Sequence, residues 1–278
     1  MDDGGHPALS TYEQKRIRDE QDAIRSVCKI LLYENFPAVP QEARGDANFA
    51  AWHEGLLEEV CFWWVTIGAL PEGYRAFSKD LMEGRRPFQY APHLAHFPEK
   101  DLYVLDVGSG PFTTLGTHAD GRTLHISLAD PLAAVFAKIL EMFRIPWTMD
   151  RRASTGELLT ETYAPGTFHL VCAQNALDHS INPLVCIRQM LEVARPGGVV
   201  VLRHIENEAT GGGYNGLHQW NFALEEGRPV MWNTNRRYRL DEELPHDVRI
   251  EVNRASKIPR WGHDWADEWI EIVLKKPD

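Results

Sequence analysis

Residues whose types and spacing could do chemistry gather in three stretches. The first closes a short apolar run with Asp106, Gly108, Ser109 and Gly110. Glycine there lets a backbone turn sharply and approach a ligand with no Cβ in the way. Twenty residues past Gly110 comes Asp130, followed by Pro131 and Leu132. An acid that closes a second strand is placed to accept both hydroxyls of a ribose. A lone Gly-x-Gly equally suits a tight turn that binds nothing.

The second stretch holds Gln174 and Asn175 at the end of another apolar run, then His179 in the loop before the next helix. An imidazole there could take an acceptor proton near neutral pH, and Asp178 with His179 could also simply cap the helix. In the third, His204 and Glu206 point to one side of a strand. Gly211 to Gly213 then suggest a hinge, and His218, Gln219, Trp220 and Asn221 place hydrogen-bonding groups around an indole. Either a substrate platform or a self-packed corner fits that density of polar groups. His204 and His218 stand behind His179 as proton acceptors. Tyr90, in a proline-broken segment, is a lid candidate, with Trp63, Trp64 and Phe88 as further pocket walls. His204-x-Glu206 and His93-x-x-His96 are the close pairings that could suggest a metal, and neither sits in a His-Glu-x-x-His or Cys/His pattern. No metal is therefore expected. The absence of a Gly-x-Ser-x-Gly elbow removes support for a serine nucleophile.

Such residues need a scaffold. Residues 1–100 read as a helical extension. One helix carries Ile17, Ile24, Val27 and Leu31 at helical spacing and runs through Leu32. A second, 48–67, carries a stripe of Trp52, Leu56, Leu57, Val60 and Trp64. Prolines at 71, 87, 92 and 98 break up the rest. From Asp101 the texture changes to apolar runs at 102–107, 124–129, 168–173 and 199–203, alternating with helical stretches to Phe143 and from Asn182 to Ala194. Pro196-Gly197-Gly198 stops the latter. Two more strands are expected at 248–252 and 269–274. Strands alternating with helices predict a parallel sheet covered on both faces, so 101–278 is expected to form an α/β domain.

Asp106-x-Gly108-x-Gly110, Asp130 closing the next strand and Pro196-Gly-Gly198 before the fifth together resemble the class I S-adenosylmethionine (SAM) dependent methyltransferases. The resemblance covers residues 101–206 and the last two strands. It implies a doubly wound, seven-stranded, mostly parallel sheet and SAM as cofactor. Asp106, Gly108 and Gly110 would lie near its methionine end and Asp130 on its ribose, with Ser109, Pro131, Leu132, Gln174 and Asn175 around them. No Asp-Ala pair follows the third strand, which leaves Ser154 or Glu157 for the adenine. The stretches Asn175-Ala-Leu-Asp-His-Ser180 and Gly216-Leu-His-Gln-Trp-Asn-Phe222 resemble a bacterial small-molecule subgroup of that family. Methyl transfer to an oxygen, less readily a nitrogen, of a small polar metabolite is the expectation. Tyr90, Glu206, Gln219, Trp220 and Asn221 are expected around the acceptor.

Composition narrows the alternatives. Lys and Arg number 29 against 40 Asp and Glu, so a net charge of −11 repels nucleic acid and anionic membranes. The longest nearly apolar run, 61–70, is half a bilayer span. The first residues carry no basic, apolar leader, and the four cysteines lack Cys-x-x-Cys spacing. A cytoplasmic protein with reduced thiols is expected, with room for a homodimer. Two other readings stay open. One is a SAM-binding partner subunit without activity. The other is an NAD(P)-dependent oxidoreductase, which Thr113 at the third small position and the late first strand fit poorly.

Overall fold

A computed structural model describes residues 11–255 and 269–278. Three helices come first: α1 (Thr11–Glu34), α2 (Phe49–Ala69) and α3 (Pro71–Met82). Then follow β1 (Asp101–Val107), β2 (Thr123–Asp130), α4 (Ala133–Met142), β3 (Arg151–Ala153), α5 (Leu159–Thr162), β4 (Phe168–Gln174), α6 (Pro183–Val193) and β5 (Ala194–Ile205). The chain continues through α7 (Glu208–Gly211), β6 (Asn221–Glu225), β7 (Arg228–Trp232), β8 (Arg237–Arg239), α8 (Leu240–Glu243), β9 (Arg249–Ala255) and β10 (Trp269–Lys275).

Seven strands form one sheet in the order β3-β2-β1-β4-β5-β10-β9. The first five are parallel, and β10 runs antiparallel to both of its neighbours. A dinucleotide-binding sheet runs 3-2-1-4-5-6. The reversed, antiparallel strand inserted after β5 is a departure from that order, and the sheet as a whole is the seven-stranded, mostly parallel one that the methyltransferase resemblance implies. Residues alternate across the sheet as its pleat requires. Leu105, Val171 and Val200 face α5 and α6, while Val104, Leu170 and Val201 face Phe88, Tyr90, Leu94 and Phe97. Between β1 and β2 the chain forms no helix. Phe88 and Gln89 donate backbone hydrogen bonds to His118 and Leu115 there, so the 86–97 segment covers that face.

Several elements differ from the expectation. Pro71 opens α3 at its first turn, where a missing N–H costs nothing, and does not break the chain. Pro196-Gly197-Gly198 lies within β5 as an irregularity facing Phe168–Leu170, so the strand begins at Ala194. Residues 221–239 form a second, three-stranded sheet around the turn at Glu226-Gly227, both at positive φ. Among the described side chains of α1, which exclude Ile17, Cys28 and Leu32 are the buried ones, flanked by Ile24 and Leu31, and Val27 is exposed. Cys28, Cys172 and Cys186 are buried free thiols and Cys61 is half-buried. Among the described residues no helix is long and apolar enough to cross a membrane.

The helices α1–α3 share one apolar cluster with α4 and with Phe112, two residues past the glycine turn. Phe112 stacks on Tyr74 at 5.4 Å and meets Phe77 and Trp147 edge-on. Leu56 is fully buried in the same cluster. Leu56→Ala should lower stability by about 2–5 kcal/mol, the cost of an unfilled core site. Urea unfolding checks this; an unchanged midpoint would mean that α2 is not packed on the sheet domain.

Candidate active site

In an open α/β sheet, ligands sit beyond the carboxyl ends of the strands, where the order switches direction. Here that point is between β1 and β4. Gly108 takes φ +69°, and a Cβ on it would collide with the Cβ of Ala176, just past β4. Its N–H donates to Ala129 O at 2.7 Å. Gly110, at φ +61°, donates to Asp130 Oδ2 at 2.8 Å, and Leu132 N donates to Asp130 Oδ1 at 2.8 Å. Burial pushes the Asp130 carboxyl up to about 6, against those two amide donors and the nearby Arg151. The indole of Trp63, anchored by Nε1 donating to Glu59 Oε1 at 2.7 Å, roofs the turn; a Cβ on Gly110 would lie 3.4 Å from it. Ser109 is half-buried, its hydroxyl donating to Gly110 O at 3.2 Å. Asp106 is buried, and the Cys172 thiol lies 3.9 Å from its Oδ1.

On the β3 side, Ser154 donates its N–H to Asp130 O at 3.2 Å, which places it beside the turn. Its hydroxyl donates to Thr155 O and accepts from Thr162. Glu157 Oε1 accepts two backbone N–H groups, from Ile181 and Asn182, each at 3.0 Å, and is committed to the start of α6. Thr155, next to Ser154, belongs to none of the motifs visible in the sequence. Its buried hydroxyl has no hydrogen-bond partner among the described residues.

Gln174 and Asn175 reach the same end of the sheet with their polar groups engaged. Gln174 accepts from the Tyr90 hydroxyl at 3.2 Å and donates to Thr114 Oγ1 at 2.9 Å. Asn175, at φ +49°, ties β4 to β5 through Arg203 O and Ile205 N. Tyr90 is therefore a buried strut and not an exposed lid.

Past β4, the chain makes one short turn at Leu177–His179, and the 212–220 loop folds onto it. Gln219 N and Trp220 N both donate to the backbone oxygen of Asp178, at 3.0 and 3.2 Å. That clamp brings His218 to the Asp178 side chain. His218 Nδ1 lies 2.7 Å from Asp178 Oδ2 and 3.0 Å from His179 Nε2, and His179 Nε2 lies 3.4 Å from Asp178 Oδ2. His204 presents Nδ1 to Asp178 Oδ1 at 3.8 Å, and Glu208 lies 3.7 Å from His218. Burial would raise Asp178, but the imidazoles of His179, His218 and His204 hold it well below the usual carboxylate range. Burial likewise opposes a charged His218, yet the Asp178 carboxylate keeps it above the ordinary imidazole range. His204, fully buried, is pushed down to about 4 and is neutral.

The three candidate histidines thus converge on Asp178, which the sequence reading weighed only as a helix cap. The side chains of the remaining acceptor-side candidates are engaged elsewhere. Trp220 is fully buried in the core and stacks on Tyr238 at 5.7 Å, so it offers no face to a ligand. Asn221 accepts from Thr210 N and donates to the Tyr214 hydroxyl, and Gln219 donates to Tyr214 O and Gly216 O. These are the bonds of a self-packed corner. Glu206 pairs with Arg254 at 2.9 Å and accepts from Leu224 N. Pro131 is half-buried, and Leu132 belongs to the α1–α4 cluster.

Gly108 and Gly121 have the same φ, +69°, but a Cβ on Gly121 meets nothing within 4 Å. Gly108→Ala should therefore cost about 1–3 kcal/mol more than Gly121→Ala, the excess measuring overpacking against Ala176. Equal losses by chemical denaturation would contradict the close β1–β4 approach.

No protein-family model matches the chain. Over 147 residues it is 26% identical to a protein of Aspergillus luteorubrus named probable methyltransferase ltbC, covering 48% of this chain and 50% of that one. The chain thus spans about half the length of the curated relative it matches. Among solved structures it is similar to a 1,6-didemethyltoxoflavin-N1-methyltransferase of Burkholderia thailandensis, with TM-score 0.40 and 17% identity, over 74% of this chain and 87% of that one. It is also similar to phospholethanolamine N-methyltransferase 2 of Haemonchus contortus, with TM-score 0.46 and 13% identity, over 68% and 53%. At such scores the architecture is established by the strand order itself. With five parallel strands, an antiparallel insertion beside β5 and a glycine turn at the β1–β4 switch point, this chain has the class I SAM-dependent methyltransferase fold.

Proposed function

We propose that the chain is a SAM-dependent methyltransferase that acts on an oxygen of a small polar acceptor. The observation that carries this is the buried Asp130 carboxylate, held by the amides of Gly110 and Leu132 at the sheet's ligand-facing end. The residues fit an adenosyl group on three counts. Two glycines at positive φ turn the chain sharply at the end of β1, a carboxylate with lone pairs to spare stands where ribose hydroxyls would donate, and the orphaned Thr155 hydroxyl lies on the adenine side. The 26% identical methyltransferase relative supports the same reading. Bound there, the cofactor would supply a sulfonium methyl group for transfer to a nucleophile.

The chain's own contribution is alignment, exclusion of water and handling of the acceptor's proton. Residues 1–100 serve as the cover and 101–278 as the cofactor-binding unit. Trp63 shields the turn. His179 and His218 are the members of the Asp178 cluster that an acceptor can reach, with side chains 22% and 37% exposed. His204, sealed behind them, positions Asp178. Helix α2 packs against the 212–220 loop beside that cluster, a setting suited to a small acceptor. The strongly negative net charge points the same way.

Titration calorimetry with S-adenosylhomocysteine tests the cofactor assignment. Asp130→Ala should raise Kd about 30- to 100-fold, equivalent to about 2–3 kcal/mol for lost charge-assisted hydrogen bonds. Because the carboxyl of the folded chain takes up its proton near pH 6, wild-type affinity should fall as pH drops through that value. Asp130→Asn should abolish that dependence. Unchanged affinity in Asp130→Ala would contradict the assignment. Labelled SAM incubated with metabolite extracts should give one labelled product; binding without any product would identify a SAM-binding subunit.

A further inference from the structure

We propose that Asp178, His179 and His218 bind one divalent transition-metal cation. The proposal deepens the methyl-transfer reading and rests on it only for the acceptor. Three atoms from three side chains face one another: Asp178 Oδ2, His179 Nε2 and His218 Nδ1, with edges of 2.7, 3.0 and 3.4 Å. Hydrogen bonds serve such a triangle poorly. A proton on His218 Nδ1 directed at Asp178 leaves His179 Nε2 facing a nitrogen already committed and an oxygen at the outer edge of reach. A cation serves all three atoms at once. Ligand atoms about 2.1 Å from a common ion lie roughly 3.0 Å apart at a right angle and about 3.4 Å apart at a tetrahedral one. Two of the observed edges, 3.0 and 3.4 Å, match those values, and the 2.7 Å edge would open slightly around an ion.

A second, independent feature points into the same place. His204 is 1% exposed, and neither of its ring nitrogens has a hydrogen-bond partner among the described residues. Its plane is fixed by stacking on Phe222 at 3.9 Å and 7°, which aims Nδ1 at Asp178 Oδ1. That oxygen is also buried and without a partner. Leaving both groups unpaired in the interior is costly. A cation on Oδ2 would leave Oδ1 to the imidazole 3.8 Å away, the outer-sphere arrangement that metal sites use to orient their ligands.

The frame is already built. Asp178 and His179 share one turn at the end of β4, and two backbone hydrogen bonds hold the His218 loop to it. Two imidazoles and one carboxylate favour zinc, iron, cobalt or nickel over magnesium and calcium, which prefer oxygen ligands. Three protein ligands leave positions open towards the exposed edges of His179 and His218. The acceptor class this implies is a hydroxyl compound. Its proton is released to water, its oxygen bonds the methyl carbon, and the sulfonium sulfur keeps the pair from the broken S–CH3 bond. His179 is then a ligand and not a free base.

The test uses the tag-free full chain, stripped with EDTA, desalted and titrated with Co2+. One equivalent should bind and give visible absorption from imidazole-coordinated cobalt. His218→Gln, at the rim where folding is least at risk, and His179→Gln should each lose stoichiometric binding. His204→Phe should weaken it about 10- to 100-fold. No stoichiometric binding, or equal binding by wild type and His218→Gln, would overturn the proposal. Titrating S-adenosylhomocysteine into the same metal-free wild type separates the two readings. Cofactor binding without cobalt binding rejects the metal alone, whereas cobalt binding without cofactor binding rejects the methyl-transfer reading and leaves the metal site standing.

Discussion

Asp130 accepts one backbone N–H from the turn after β1 and one from the start of the helical segment after β2. The candidate site depends on that bridge. It fixes the spacing between the ends of two parallel strands that no helix connects, and it keeps a carboxylate in a place where burial disfavours its charge. The two amide donors offset part of that cost. Gly108 supplies the complementary constraint on the other flank, because only a residue without Cβ lets the turn press against Ala176. Carboxylate and glycine together fix the shape of the turn at the β1–β4 switch point.

Elements outside the seven-stranded sheet pack over that turn. Helix α2 lays Trp63 over Gly110 and sets Gly55 against the Gly216–Leu217 backbone, so one helix touches both the glycine turn and the His218 loop. Asn48, just before α2, donates to Ile181 O and accepts from Asn233, which ties the helices to α6 and to the second sheet. That second sheet carries Trp220 and Phe222 into the main core and so holds the 212–220 loop from below. His218 owes its position to this chain of contacts and not to the strand rhythm of the central sheet.

Legibility in the sequence followed the range of the interactions. The strands β1, β2, β4 and β5 are short apolar runs closed by turn residues, and Asp106, Gly108, Gly110 and Asp130 sit at their ends, so local pattern sufficed. Strand β3 has three residues and exists only through its pairing with β2. The β6–β8 sheet is bound by cross-strand contacts among residues such as Asn221 and Pro229 that carry no strand pattern. Trp220 among polar neighbours looked like a ligand platform because its stacking partner, Tyr238, lies eighteen positions away across that sheet. Asp178 and His218 are 40 residues apart and meet through two backbone hydrogen bonds to the Asp178 carbonyl, which side-chain identity does not announce. The close pairings visible in the sequence led elsewhere: His93 faces Glu271, and Glu206 faces Arg254.

The central claim is that the cleft bounded by Gly108, Gly110 and Asp130 receives an adenosyl group. A crystal structure of the full chain grown with S-adenosylhomocysteine tests it most directly. The account predicts ribose hydroxyls within hydrogen-bonding distance of the Asp130 carboxylate and the adenine beside Thr155. Density for the ligand at any other face, or an unoccupied cleft at saturating ligand with Trp63 still closed on Gly110, would contradict it.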